Sequence, residues 1–221
     1  MTRGQVSAAV DPLGWRLVLG AIYTHVGAVS LAAAANAATI AVAAAGHDGD
    51  GHLSADVQTG GVLLRLQSCA TGDVTEHDVH LAHRISGALA ENALRTEAGP
   101  VALQAIEIAI DALDIAAVRP FWQAVTGYAD EPAPPDLPDT ALVDPLRRGP
   151  TIWFQQMDAP RPQRNRIHLD VDVAPEHAQS RIAAALAAGG VLLDDSRAPA
   201  FWVLADPEGN EACICTWQGR D

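Results

Sequence analysis

Polar and apolar residues alternate without a break along one stretch near the C-terminus, Arg166-Ile167-His168-Leu169-Asp170-Val171-Asp172-Val173. A period of two is typical of a β-strand that buries one face and leaves the other open. The core-facing residues are expected to be Ile167, Leu169, Val171 and Val173. The opposite face would present Arg166, His168, Asp170 and Asp172.

The open face of this strand combines a cation, an imidazole and two carboxylates. Such groups hold anions, bind metals and transfer protons, so the strand is a candidate wall of a functional site. The alternative is an exposed sheet edge, on which the same charges form local ion pairs that contribute little to stability.

The composition is that of a packed globular protein, because 49% of the 221 residues are hydrophobic and 19% are charged. A chain of this length forms one large domain or two of ordinary size. The formal net charge of −13 argues against nucleic acid as a partner, since phosphate backbones attract clustered Lys and Arg.

The apolar stretch over residues 28–46 is the segment that most resembles a membrane span. It is mostly alanine, contains Asn36 and has no flanking cations, so we expect a helix of a soluble protein instead. The start of the chain has no signal-peptide pattern. Cys69, Cys213 and Cys215 form no disulfide framework and indicate reduced thiols. We therefore expect a cytoplasmic protein without a membrane partner.

The first half of the chain mixes strand and helix signals. Residues 1–13 are expected to be loose, and residues 47–52, rich in Asp and Gly, to form a turn. The patterns predict strands over 15–19 and 62–66, and helices over 28–45 and 75–95. The second helix begins with Thr75 and Asp78 in the spacing of a capping box.

The break Glu97-Ala98-Gly99-Pro100 predicts two domains, residues 1–97 and 98–221. Beyond the break a strand over 101–110, a helix from Asp114 to Thr126 and further strands are followed by the same order again. The second helix starts near Pro175. This order indicates an internal duplication of a βαβββ unit.

The duplicated unit contains Phe121-Trp122, then Gly127-Tyr128, and the turn Asp206-Pro207-Glu208-Gly209-Asn210-Glu211. With the stretch from Arg166 to Val171, this combination resembles the vicinal oxygen chelate superfamily, in its glyoxalase-like or bleomycin-resistance-like branch. The resemblance implies an α+β domain in which each unit forms half of an incomplete barrel around a small-molecule cleft. It also implies a divalent metal held by the first, fourth, fifth and eighth strands of the barrel.

Carried onto this sequence, the ligand positions of the superfamily fall on Glu107, on Gln155 or Gln156, on Arg166 and on Cys213. An arginine stays protonated and cannot bind a metal, so His168, two residues further on, is the substitute. Glu107 and His168 are therefore the metal candidates. A site without a metal is the alternative, because this donor set suits neither hard ions nor zinc well.

Without a metal, the resemblance implies an organic site in the same cleft. Arg166 would bind a carboxylate or an enolate, and Glu107 or His168 would transfer a proton. Apolar neighbours of Glu107 would raise the pKa of its carboxyl. Further substrate contacts are expected from Trp153, Gln155 and Asp170. In the alternative interpretation, Glu107 and Arg166 only pair with each other.

The first 95 residues resemble pterin-4a-carbinolamine dehydratase through Trp15-Arg16-Leu17, the strand 62–66 and Thr75-x-x-Asp78-x-x-Leu81-Ala82. The resemblance implies a small α/β sandwich and a histidine cluster that dehydrates a hydroxylated tetrahydropterin. His52 and Asp78 match that cluster, whereas Cys69 stands where the family has a histidine. A degenerate domain kept for packing, dimerisation or ligand binding is therefore expected, with residual dehydration as the alternative.

Taken together, these patterns predict an α+β protein of two domains and an enzyme of lyase or isomerase class that acts on a small polar substrate. Arg166 would stabilise the oxyanion that develops in the C-terminal cleft. The alternative class is a binding or drug-resistance protein that sequesters its ligand against Trp153, Trp202 and Trp217. A homodimer is a further expectation.

Overall fold

A computed structural model describes residues 1–99, 105–132, 141–160, 168–173, 175–216 and 218–219. These residues fall into two compact units. The main body of the first unit is Met1–Ala105, and the second consists of Ile106–Glu131 with Asp139–Asp221. Each unit has a hydrophobic core of its own.

The first unit packs helices on one antiparallel sheet. Its elements are α1 (Arg3–Val10), β1 (Arg16–Val18), β2 (Ala21–Gly27), α2 (Leu31–Ala45), β3 (Leu53–Gln58), β4 (Gly61–Leu66) and α3 (Glu76–Glu91). The strand order is β1-β2-β4-β3, and every neighbouring pair is antiparallel. The core between the helices and the sheet includes Trp15, Leu64 and Ile85, which are fully buried.

Side-chain caps explain where the helices of this unit begin. The Ser30 hydroxyl accepts a hydrogen bond from the backbone N–H of Ala33 at the start of α2. At the start of α3, the Asp78 carboxylate accepts hydrogen bonds from the backbone N–H and the hydroxyl of Thr75. The predicted capping role of Thr75 and Asp78 is therefore confirmed, and α3 ends at Glu91, four residues before the predicted end.

The structure of the first unit differs from the predictions in one segment that was predicted wrongly and in two strands that were missed. Residues 1–13, expected to be loose, form α1 and a 3-10 turn over Asp11–Leu13, because Thr2 and Gln5 cap each other across the first turn of α1. Strands β2 and β3 were not predicted. Residues 53–58 alternate apolar and polar side chains, so the sequence did contain a signal for β3. In β2 the polar Thr24 stands on the buried face and interrupts the apolar pattern. Each of the two strands pairs with one edge of β4.

The second unit contains the predicted duplication of βαβββ. Its first half is β5 (Glu107–Ala112), α4 (Ile115–Thr126), β6 (Ala129–Asp130), β7 (Leu142–Val143) and β8 (Thr151–Gln156). Its second half is β9 (Leu169–Asp172), α5 (Pro175–Ala187), β10 (Val191–Asp194), β11 (Phe201–Ala205) and β12 (Glu211–Cys215). Each half forms one four-stranded sheet, so the predicted mixed α+β class is confirmed.

In both halves the first and last strands pair in parallel. The sheet orders are β5-β8-β7-β6 and β10-β11-β12-β9, and β5 pairs with β8 as β9 pairs with β12. Helix α4 begins at Ile115 and runs through Pro120 to Thr126, with Asp114 and Gly127 as its caps. Strand β5 begins at Glu107, and residues 101–104 of the predicted strand lie outside the described residues.

In the described part of the chain, no helix combines the length and the apolar character that crossing a membrane requires.

Candidate functional site

Strands β9 and β12 bring the polar face predicted from the sequence next to two thiols. Leu169 and Val171 on β9 pack against the core, whereas His168, Asp170 and Asp172 are exposed. The parallel register pairs Asp170 with Cys213 and Asp172 with Cys215. Because paired residues of neighbouring strands project from the same face, the carboxylates and the thiols share one side of the sheet.

A trio of candidate metal ligands forms on this face. One donor atom each from His168, Asp170 and Cys213 lies within 4.8 Å of the other two. The Nε2 atom of His168 is 3.3 Å from a carboxylate oxygen of Asp170. Cys213 is buried, whereas the other two side chains are exposed.

The protonation state of Cys213 follows from its surroundings. Burial, followed by the hydrogen bond to the Asp170 carboxylate and the charge of that carboxylate, raises the pKa of the Cys213 thiol to about 12. At neutral pH the thiol is therefore protonated and donates its hydrogen bond to Asp170. A protonated, buried thiol is a poor nucleophile.

The trio lies on the wall of a cavity of about 500 Å³. The cavity is lined by His168, Asp170, Arg197, Ala200, Phe201, Cys213, Cys215 and Gly219. This volume and the mixture of small, aromatic and a few polar residues are typical of sites for small organic molecules.

The donor set of the trio fits a zinc-like ion better than a hard cation. Zinc accepts imidazole, thiolate and carboxylate ligands, and three protein ligands leave a position open for chemistry. Magnesium and manganese prefer clustered oxygens, of which the trio offers only the Asp170 carboxylate. A bound ion would have to displace the proton of Cys213, which makes binding dependent on pH.

Three of the predicted site residues lie in the other sheet of the second unit. The parallel register of β5 and β8 pairs Glu107 with Thr151, Ala109 with Trp153 and Asp111 with Gln155, so these residues share one face. Glu107 is exposed, and the apolar enclosure predicted around its carboxyl is not observed. Among the described residues, Glu107 is not a member of the trio of candidate metal ligands.

The predicted roles of Arg166 and of the tryptophans can be compared with the structure only in part. Arg166 and Trp217 lie outside the described residues. Trp202 is buried in the core of the second unit, so the prediction that it offers a stacking surface is wrong. The residue sits on the core-facing side of β11, where its pair partner is Ile214.

Arg197 and Phe201 are cavity residues that the sequence pattern did not indicate. Phe201 opens β11, and Arg197 lies in the preceding loop, which has no periodicity to single it out. Cys215, for which the sequence indicated only a reduced thiol, also lines the cavity. A signal did exist for Cys213 and Cys215, since their spacing of two places both on one face of a strand.

In the first unit the structure brings His52 and Asp78 together. Nδ1 of His52 is 2.8 Å from an Asp78 carboxylate oxygen, and Asp78 is completely buried. The His77 ring contacts that of His52 edge-on with 4.7 Å between their centroids. Cys69 is exposed and has a free thiol. Two of the three predicted residues therefore form a pair, held by the capping of α3.

Several solved structures are similar to about half of this chain at low sequence identity. A glyoxalase/bleomycin resistance protein/dioxygenase family enzyme from Burkholderia phytofirmans PsJN is 21% identical, and the match covers 50% of this chain and 95% of that one with a TM-score of 0.41. A glyoxalase-related enzyme from Fulvimarina pelagi is 18% identical, with coverages of 52% and 88% and a TM-score of 0.40.

A fosfomycin resistance protein, FosX, from Listeria monocytogenes, solved with Mn(II) and dihydroxypropylphosphonic acid, is 12% identical. That match covers 49% of this chain and 86% of the other, with a TM-score of 0.38. A search of the curated proteins finds no match.

The family comparison agrees with the fold of the second unit. Residues 107–215, which run from the first residue of β5 to the last of β12, match the family described as Glyoxalase-like domain. The predicted resemblance of this region is thereby confirmed, while the dehydratase resemblance of the first unit stays a prediction. The C-terminal region of this chain has a glyoxalase-like domain.

Proposed function

We propose that the C-terminal unit is an enzyme that transfers a proton on a small organic substrate, in lyase or isomerase chemistry. The observation that supports this proposal is the placement of His168 beside Asp170 on the wall of a cavity of about 500 Å³. An imidazole next to a carboxylate, facing a space large enough for a ligand, is a common arrangement for acid–base catalysis.

Asp170 would act on the substrate through His168. With its carboxylate 3.3 Å from Nε2, it favours the tautomer that has hydrogen on Nε2 and leaves Nδ1 free to accept a proton. After proton abstraction, the same carboxylate stabilises the imidazolium. Cys213 donates to Asp170 and thereby restrains the carboxylate.

A divalent metal is the alternative partner of the same residues. His168, Asp170 and Cys213 would hold it, and a bound ion would supply Lewis-acid chemistry to the cavity. Elemental mass spectrometry of native protein purified without chelator decides this point. About one equivalent of zinc that is lost in both Asp170→Asn and Cys213→Ser would show the ion at the trio, whereas zinc retained in both variants would exclude it from there.

Hydrogen exchange tests the proton transfer without knowledge of the substrate. A panel of small ketones, aldehydes and oxo acids is incubated with the protein in D₂O, and the loss of each α-proton signal is followed by NMR. Wild-type protein should accelerate the exchange of at least one member. His168→Asn should slow that exchange by about 100-fold or more, the usual contribution of a general base.

The same assay separates the two predicted bases. His177→Asn is the matched control, because His177 is an exposed histidine on α5 of the same unit. Exchange that survives in His168→Asn and disappears in Glu107→Gln would assign the base to Glu107. Exchange that survives in both variants would remove both residues from the chemistry.

Sequestration of a ligand without chemistry is the competing proposal for this cavity. The tight binding of one compound in a 1:1 ratio, with the compound recovered unaltered and no exchange on the panel, would favour it. The burial of Trp202 removes one of the stacking surfaces that this alternative was expected to use.

A second function is favoured by the His52–Asp78 pair of the first unit. A buried carboxylate that holds a histidine by a 2.8 Å contact resembles an acid–base pair more than a surface ion pair. Residual pterin dehydration is therefore a second candidate. A stopped assay with the carbinolamine should give a rate above background that His52→Ala abolishes, and a wild-type rate equal to background would eliminate it.

A further inference from the structure

The loop between β10 and β11 places an arginine on the cavity that contains His168. Arg197 is exposed and lines this cavity together with Ala200 and Phe201. In the described part of the chain, no carboxylate lies within 4.0 Å of its guanidinium. Hydrogen bonds from Ser196 are the main cause that lowers the pKa of nearby Asp194, and the charge of Arg197 adds a smaller effect.

The backbone around Arg197 is held in place by the end of β12. The carbonyl of Arg197 accepts a hydrogen bond of 2.9 Å from the backbone N–H of Ala200. The Thr216 hydroxyl donates to the carbonyl of Pro199 over 2.6 Å, and its backbone N–H donates to the carbonyl of Ala200. These bonds hold the loop against the end of β12, so the backbone of Arg197 has a defined position at this end of the cavity.

We infer that Arg197 binds a carboxylate of the substrate, so that the substrate class of the proposed enzyme is a small monocarboxylate. The inference rests on the proposed proton transfer at His168. A guanidinium matches a carboxylate with two parallel hydrogen bonds. Arg197 and Asp170 together give the cavity one positive and one negative charge, and a single carboxylate is repelled less by Asp170 than a dianion would be.

The strand register sets the length of such a substrate. His168 precedes Leu169, the pair partner of Ala212, and Phe201 pairs with Cys215 at the other end of β12. Measured along β12, the position beside His168 and the position beside Phe201 are four residues apart, which is about 13 Å. A substrate held at Arg197 must therefore be extended for its reactive carbon to reach His168.

Pairs of a carboxylic acid and its amide test whether Arg197 is an anchor, that is, a binding group for the carboxylate of the substrate. Phenylacetate, 3-phenylpropionate and 5-phenylpentanoate are compared with their amides by calorimetry on the full-length protein. Wild-type protein should bind the best acid about tenfold to a hundredfold more tightly than its amide, the range expected for hydrogen bonds to a charged group. Arg197→Gln should remove this preference, whereas Arg148→Gln, at an exposed arginine outside the cavity lining, should keep it.

NMR of the arginine and histidine side chains checks the geometry. The longest acid should shift the Nε–H signal of Arg197 and the ring signals of His168, and the shortest should shift only the former. Equal acid preference in wild type and Arg197→Gln overturns the anchor, and so does the absence of binding by every acid. Loss of preference in Arg197→Gln with no hydrogen exchange on any substrate leaves the anchor standing and removes the proposed function.

Discussion

At the scale of single residues, Asp170 is the centre of the candidate site. It lies 3.3 Å from the His168 ring and accepts the hydrogen bond of the Cys213 thiol. One carboxylate therefore contacts the ring of the proposed base and helps to keep a thiol protonated. The same three groups are the candidate metal ligands, and a metal bound by all three would have to displace the proton of Cys213.

The thiols of this protein should differ in reactivity. At pH 8 the exposed Cys69 should be alkylated by iodoacetamide first, and Cys213 should stay unmodified in the folded protein because its pKa is raised to about 12. Asp170→Asn removes a hydrogen bond and a charge that favour the protonated thiol. Alkylation of Cys213 should then be faster, as measured by peptide mass spectrometry.

The control for this experiment is Asp158→Asn, which removes an exposed carboxylate of the same unit that is not part of the cavity lining. It should leave the rate at Cys213 unchanged. Equal rates in wild type and Asp170→Asn would show that Asp170 does not control the thiol.

At the scale of elements, the turn after β11 joins the two halves of the second unit. Asp206 is buried, and its carboxylate accepts hydrogen bonds from the indole of Trp122 on α4 and from the backbone of Glu208 and Asn210. The carboxylate of Glu208 accepts from the backbone N–H groups of Leu113 and Asp114 at the start of α4. A turn of the second half thus caps a helix of the first.

Replacing these two acids should destabilise the second unit to different degrees. Asp206→Ala leaves a buried indole and two backbone N–H groups without their acceptor and should cost about 3–5 kcal/mol. Glu208→Ala removes an exposed helix cap and should cost about 1 kcal/mol. Urea unfolding followed by tryptophan fluorescence measures this, since four of the five tryptophans come after residue 106 in the sequence.

Asp158→Ala is the reference variant for the two acids, with an expected change of less than about 0.5 kcal/mol because it lies on the surface. A smaller loss of unfolding free energy for Asp206→Ala than for Glu208→Ala would contradict this prediction. It would mean that the Glu208 cap of α4, and not the bond from Asp206 to Trp122, holds the two halves together.

At the scale of the whole molecule, the chain has a simple alkaline titration. It has no lysine, so the groups that release protons between pH 9 and 12 are mainly cysteines and tyrosines. Two of them have raised pKa values: burial and Asp170 act on Cys213, and burial and the charge of Asp144 act on Tyr128. Their pKa values in the unfolded chain are lower.

Stability should therefore fall as the pH rises above about 9, the pKa of an unfolded cysteine. A group whose pKa is raised by folding contributes fully below its unfolded pKa, and this contribution is lost as the pH rises to the folded value of about 12 for Cys213. Melting temperatures between pH 8 and 11 should fall less steeply for Cys213→Ala and for Tyr128→Phe than for wild type.

Cys69→Ala is the matched control for the alkaline melts, because the Cys69 side chain is exposed, and its curve should be parallel to that of wild type. Parallel curves for all the variants would mean that neither Cys213 nor Tyr128 is responsible for an alkaline loss of stability. A homodimer and a cytoplasmic location are expectations at this same scale and remain predictions.

Sequence patterns predicted those features of this protein that depend on neighbours along the chain. The alternation around His168, the capping box of Thr75 and Asp78, and the repeated βαβββ order are local signals, and the structure contains each of them. The same alternation put His168 and Asp170 on one candidate face, whereas the metal role of His168 was implied by the family resemblance. Their proximity follows from a spacing of two on one strand.

Tertiary structure alone decided which distant residues meet these local groups. Cys213 reaches Asp170 because β12 pairs with β9 in one particular register, and a shift of one residue would turn the thiol to the other face. The bond between Thr216 and Pro199 brings the loop of Arg197 to the cavity, and the packing of α3 brings Asp78 to His52. Such pairings depend on loop closure and packing between segments far apart in the chain, which no local period encodes.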